Sequence, residues 1–218
     1  MSGHDQPDKG RYPRGSDEFT RAINFNDAVF AIALTLLSVS LAVPALTNGA
    51  SADELWSRLN DMSSELVSFV ISFAVIGRYW FAHHQFVSRL GAIDNGLIGI
   101  NLVYLAFVAF LPFPTEMLGT HFDNPAAVTV YAVNVALISG FEVLLLARAQ
   151  RQHLFAKRVP EEVYRWARLM SLTPVFTFIA SIPVAYVDTT AAALMWLLGL
   201  PLGIWGERHK PAHTDEYF

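Results

Sequence analysis

Five runs of this chain carry no charged side chain. They are Ala28 to Ala52, Asn95 to Thr115, Asn124 to Phe141, Leu169 to Val187 and Thr189 to Gly206, and a sixth block, Leu66 to Val87, is interrupted only by Arg78. A bilayer hydrocarbon core of about 30 Å takes roughly 20 mostly apolar residues in a helix, so each block is close to one span. In hydrocarbon every backbone N–H and C=O has to be satisfied inside the segment, which makes helices the default, and these Ala-, Leu- and Gly-rich runs lack the alternation of barrel strands. The sequence therefore predicts an all-α integral membrane protein with six transmembrane helices, at about 20–43, 65–88, 93–115, 125–147, 166–187 and 189–206.

Composition excludes several other classes. Only 16% of the 218 residues are charged and 53% are hydrophobic, against about 25% charged in ordinary soluble domains. That sets aside a soluble α/β domain and a disordered chain. A net charge of −4 offers no basic excess, so no nucleic-acid partner is expected. There is no cysteine, which excludes disulfides, thiolate chemistry and Cys-ligated zinc. The first apolar block is too long for the core of a secretory leader, so it is read as a span. The polar stretch 1–17 is expected to be a disordered cytoplasmic tail, 18–208 the six-span domain and 209–218 a second cytoplasmic tail.

Lys and Arg residues set orientation. With the N-terminus inside, the inner segments hold Lys9, Arg11, Arg14, Arg21, Arg89, Arg148, Arg151, Lys157, Arg158, Arg165, Arg168, Arg208 and Lys210, leaving only Arg58 outside and Arg78 within a span. Both termini are thus expected in the cytoplasm. The outer loop of about 44–64 carries Asp53, Glu54 and Asp61 and suits a short amphipathic surface helix. The cluster from Arg148 to Arg168 is read as a headgroup-facing topogenic loop in preference to a dedicated lipid or regulator site. Pro44, Pro112, Pro114, Pro125 and Pro160 are placed near helix ends, and Pro174, Pro183 and Pro201 inside spans.

Ionisable groups within spans are costly and mark function. Arg21 and Asp27 open the first span, His83 and His84 close the second, and the topology puts all four at one depth. There Asp27 can accept from an imidazole or from the indole N–H of Trp80. Such a network either pins the first two helices together or takes part in gating. Two adjacent histidines lack a third ligand at helical spacing, so no metal is expected. Glu142 is read as snorkelling to Arg148 or Arg151, and Arg78 as facing a cavity, a subunit interface or a carboxylate, with Glu142 a possible partner by depth. In the first span Ile32, Leu36, Val39 and Val43 form one apolar stripe, beside a small-residue surface of Ala28, Ala31, Thr35, Ser38 and Ala42. Periodicity alone reads such a stripe as lipid-facing or core.

Arg21, Phe25, Asn26 and Asp27, followed by AVFAIALTLLSVSL, resemble the R-x-x-x-F-S-D signature of the bacterial relatives of transmembrane protein 175, a lysosomal potassium channel. FVISFAVIGRYWFAHHQF, with Trp80, His83 and His84, is similar to the family's second span, and NLVYLAFVAFLPFPTEML to its third. The resemblance implies a potassium-preferring cation channel without a separate selectivity-filter loop. It implies a homotetramer in the cell membrane, a bacterial inner membrane, with the first helix lining a central pore. Carried over residue by residue, it puts the pore constriction at Ile32, Leu36 and Val39 with Thr35 close by. It puts a gating or structural network at Arg21, Phe25, Asn26, Asp27, Trp80, His83 and His84, with Asp27 bonding toward Trp80 and His84. Potassium is then the permeant ion and membrane lipids the surroundings; no cofactor is implied. Asn26 departs from the signature serine while keeping hydrogen-bonding capacity. The competing readings from the residues are a proton- or cation-coupled secondary transporter using Glu142, Arg78 and the histidines, and a membrane enzyme.

Overall fold

The computed structural model describes residues 10–42, 49, 51–212, 214 and 217. In chain order the helices are α1 (Asp17–Val39), α2 (Ala52–Asp61), α3 (Ser63–Ser88), α4 (Asn95–Phe110), α5 (Pro112–Thr120), α6 (Pro125–Arg151), α7 (Glu161–Ala185), α8 (Thr189–Trp196) and α9 (Gly199–Arg208). α4 and α5 together make one span, as do α8 and α9, so among the described residues six segments are long and apolar enough to cross a bilayer. This is an all-α, multi-pass membrane architecture.

Side-chain caps start most of the spans. Ser16 accepts from the Phe19 N–H with Asp17 and Glu18 in the first turn of α1, Asp94 accepts from Leu97 N–H at α4, and Asp188 accepts from Ala191 N–H at α8. Each satisfies a donor that the helix itself leaves free. α6 begins with Asn124 as cap and Pro125 in its first turn, where a missing N–H is tolerated.

Two spans are broken where the sequence suggested continuity or an end. Pro112 and Pro114 do not terminate the third span near residue 115; they sit in the first turn of α5, which carries the span on to Thr120. A proline has no N–H and its ring clashes with the carbonyl four residues back, so α4 stops at Phe110 and the helix restarts. Likewise the carbonyl that Pro201 would abut belongs to Leu197, and the sixth span is interrupted between Trp196 and Gly199. Pro174 and Pro183 are carried inside a continuous α7.

α6 is the packing centre, with Tyr131, Val135, Ile138 and Leu145 fully buried between α4 and α7. Between membrane helices, hydrogen bonds add to close packing. Thr115 donates to Ser72 at 2.8 Å and Ser72 to the Tyr131 hydroxyl at 3.1 Å, joining α5, α3 and α6. Tyr79 and Ser139 are hydrogen-bonded between α3 and α6, and Trp196 donates to Ser181 at 2.9 Å between α8 and α7. The outer loop forms the expected surface helix: α2 has no buried residue, and Leu55 and Trp56 stand exposed.

The expected disorder of 1–17 needs correction. Residues 1–9 lie outside the described residues, but β1 (Arg11–Pro13) pairs antiparallel with β2 (Ala92–Asp94). Polarity was a poor guide because the side chains here are used as fasteners. Arg11 donates to the His153 carbonyl at 2.9 Å, Arg14 to the Ser88 carbonyl at 2.8 Å, and Tyr12 packs against the core.

At the same end, Arg148 in the last turn of α6 grips Asp94 with Nε and Nη2, each at 2.9 Å from one carboxylate oxygen. The guanidinium lies over Gly96, where an added Cβ would stand 2.0 Å from Arg148 Cζ. Gly96→Ala ordinarily adds up to about 1 kcal/mol in a helix; here it displaces the guanidinium. The expected result is a loss of about 1–3 kcal/mol, read as a lower thermal unfolding midpoint in detergent.

Candidate pore helix and the polar network behind it

α1 has two faces. Phe19, Asn26, Phe30, Ala33 and Leu37 recur at helical spacing and are buried against α3 and α4. On the opposite side Ile32, Leu36 and Val39 are 57%, 43% and 76% exposed, large apolar groups left uncovered among the described residues. Ala28, Ala31, Thr35 and Ser38 are exposed beside them. Thr35 donates to the Ile32 carbonyl at 2.8 Å and Ser38 to the Thr35 carbonyl at 2.7 Å. Their hydroxyls are thus satisfied inside the helix and ask for no partner across this face. Val43, the last member of the stripe, lies outside the described residues.

A two-tier polar network anchors the other side of α1. In the outer tier Trp80 donates its indole N–H to Asp27 Oδ1 at 3.1 Å, linking α3 to α1. The His84 ring packs on Trp80 at 5.6 Å between centroids. In the inner tier Asn26 is 5% exposed and its amide oxygen accepts from Asn101 Nδ2 at 2.7 Å. An amide oxygen only accepts, so His83 Nε2 donates to Asn101 Oδ1, at 2.8 Å. The His83 ring stacks on Tyr104 at 5.1 Å and leans on Phe30 at 5.7 Å. α1, α4 and α3 are thereby tied by side chains that cannot be solvated once buried.

The network is both more and less than the sequence suggests. Asp27, Trp80 and His84 are together, although His84 reaches Asp27 only through the Trp80 ring. Asn26 keeps a buried hydrogen bond in place of the signature serine. Arg21 is exposed and makes no hydrogen bond or ion pair among the described residues, and Phe25 is half exposed. Asn101, the hub of the inner tier, sits in a charge-free run and carries no ionisable group to mark it in the sequence. Its signal was a lone carboxamide within an apolar span. Asn101→Leu leaves Asn26 and His83 buried without their partner, and each orphaned group costs about 1–3 kcal/mol. The expected result is a markedly lower unfolding midpoint in detergent.

Glu142 forms no ion pair with Arg148 or Arg151 among the described residues, because Arg148 is committed to Asp94. It shares with Arg78, Gln85 and Lys210 the lining of a cavity of about 260 Å³ among α3, α6, α7 and the C-terminal segment. Arg78 and Glu142 face this space without an ion pair between them.

Residues 21–112, which contain the whole α1 stripe and the whole network, match the family model described as the endosomal/lysosomal potassium channel TMEM175. A potassium channel from Streptomyces collinus is 31% identical over 205 residues, covering 92% of this chain and 97% of that protein. The chain belongs to the TMEM175 family. A potassium channel from Chamaesiphon minutus is 33% identical over 138 residues, 62% of this chain and 68% of its own. The crystal structure of a lysosomal potassium-selective channel TMEM175 homolog from Chamaesiphon minutus matches with a TM-score of 0.71 at 24% identity, over 88% of this chain and 99% of that one. This TMEM175 family member shares that fold. The TMEM175 family is one of ion channels, which removes the membrane-enzyme reading.

Proposed function

We propose that this chain is a potassium-preferring cation channel whose pore is lined by α1 from four subunits, with its constriction at Ile32 and further apolar rings at Leu36 and Val39. The observation that carries the reading is the uncovered Ile32, Leu36 and Val39 face of a helix whose opposite face is firmly packed and hydrogen-bonded. A closed fourfold ring covers four such faces at once. Water leaves a narrow apolar ring when the helices are close and returns when they tilt or rotate apart, which is gating by dewetting. Potassium sheds its hydration more readily than sodium, so an apolar ring favours it without carbonyl ligands or any cofactor. Asp27, Trp80, His84, Asn26, Asn101 and His83 hold α1 at its angle to α3 and α4 and so set the ring's width. The Lys and Arg bias supports a cell-membrane orientation, in a bacterial inner membrane, with both termini in the cytoplasm.

The alternative, a coupled carrier, would draw on Arg78, Glu142 and the histidines, but His83 is already committed to Asn101. Purified protein in planar bilayers under opposed potassium and sodium gradients separates the two. The channel gives unitary current steps that reverse toward the potassium potential. Saturable flux without unitary steps contradicts it.

A further inference from the structure

At the basic end of the bundle, the segment leading into α1, the end of α3, the loop between α6 and α7 and Tyr217 of the C-terminal segment border an open cavity of about 180 Å³. Arg14, Arg89 and Lys157 line it, with Phe155 and Val159 on an apolar side. None of the three cations forms an ion pair among the described residues. Arg14 uses one guanidinium nitrogen on the Ser88 carbonyl. Arg89 Nε is buried and has no hydrogen-bond partner among the described residues. The backbone around them is fastened: Arg14 N–H donates to the Gly91 carbonyl at 2.8 Å, Gly91 N–H to Leu154 at 2.8 Å and Ala156 N–H to Arg89 at 2.9 Å.

Three like charges held around one cavity repel each other, and a buried guanidinium N–H without an acceptor is a standing penalty. An anion with several acceptor oxygens relieves both at once, and guanidinium geometry suits phosphate in particular. Arg89 directly follows the last residue of α3, so the cavity opens where a span ends and lipid phosphates lie. We propose that Arg14, Arg89 and Lys157 form a binding site for a phosphate-bearing anion, seated against the segment that leads into α1. Arg14 lies three residues before the first residue of α1, so an occupant bears directly on the entry of the proposed pore helix.

The test is binding, which does not depend on whether the chain conducts. The full chain, purified in neutral detergent, is titrated with short-chain phosphatidic acid, with the matching diacylglycerol, and with inorganic phosphate, reading the unfolding midpoint. Phosphatidic acid is expected to raise the midpoint saturably and diacylglycerol to leave it unchanged. Arg89→Gln and Lys157→Gln are each expected to weaken that binding by about tenfold, and Arg89→Lys to retain most of it. Stabilisation by phosphatidic acid that inorganic phosphate does not reproduce assigns a lipid headgroup; stabilisation by inorganic phosphate alone assigns a soluble source. No saturable effect of either on the unsubstituted chain overturns the proposal. So does unchanged binding in Lys157→Gln, whose exposed side chain leaves the fold intact and decides the matter if Arg89→Gln does not fold.

Discussion

Ile32→Asn is expected to raise unitary conductance severalfold and to move the reversal potential under opposed potassium and sodium gradients toward zero. Ile32 stands at the middle of the exposed face of α1, 57% exposed in the single chain, with Leu36 and Val39 following along the stripe. In a ring of four, the isoleucines present only hydrocarbon to the axis, and keeping water beside an Ile-sized side chain is unfavourable by about 1.5–3 kcal/mol. An asparagine ring offers donors and acceptors that hold water in place, so the dry state loses its advantage. A barrier lowered by about 1.4 kcal/mol is already a tenfold change in rate. The same water lets sodium pass hydrated, which erodes the preference for potassium. Unchanged conductance and reversal potential in Ile32→Asn would remove the constriction from this position.

Asp94→Asn is expected to lower stability by about 2 kcal/mol, and to flatten the acid side of the stability profile. Asp94 accepts two hydrogen bonds from Arg148 and one from the Leu97 N–H at 2.6 Å, so one side chain caps α4, closes on α6 and fixes the end of β2. The pair is no ordinary surface bridge, since the Asp94 side chain is only 16% exposed. Burial alone would push the Asp94 carboxyl up, but the Arg148 hydrogen bonds, the Leu97 N–H and the nearby Arg148 and Arg11 charges outweigh it and hold it below the usual carboxylate value. A carboxyl depressed in the folded state stabilises fully above its unfolded value, and that stability is lost as pH falls through the folded one. The wild-type chain therefore loses stability on acidification over a range in which Asp94→Asn does not lose this contribution. Parallel midpoint-against-pH curves for the two proteins would contradict this.

Much of the fold was legible because expulsion of charge from long blocks has a direct cause in the bilayer. The blocks report the spans but not their interior, which is why the restarts at Pro112 and near Pro201 went unseen: they depend on which carbonyl a proline ring abuts. The network was legible by halves. Asp27 and Trp80 share a depth that topology alone dictates, and both are conspicuous by charge or size. Asn101 is neither charged nor large, so little in the sequence marks it out although its part-buried hydrogen bonds make it costly to remove. Asp94, at the end of β2, and Arg148, in the last turn of α6, lie 54 residues apart, and nothing in either local sequence points to the other. From the sequence alone, Glu142 and the lipid headgroups are equally within reach of a side chain as long as that of Arg148. Arg11 to Pro13 looked like a polar tail because strand pairing with Ala92 to Asp94 is also a long-range fact.

The central claim, that the exposed face of α1 lines a conducting pore, is tested most directly by cysteine accessibility, for which a cysteine-free chain is a clean background. Ile32→Cys and Ala33→Cys place a thiol on the exposed and on the fully buried side of α1, one residue apart. The expected result is that a charged, membrane-impermeant methanethiosulfonate reagent blocks the single-channel current of open Ile32→Cys channels and leaves that of Ala33→Cys channels unchanged. Block of Ala33→Cys with Ile32→Cys untouched, or no block of either under the same conditions, would contradict the account.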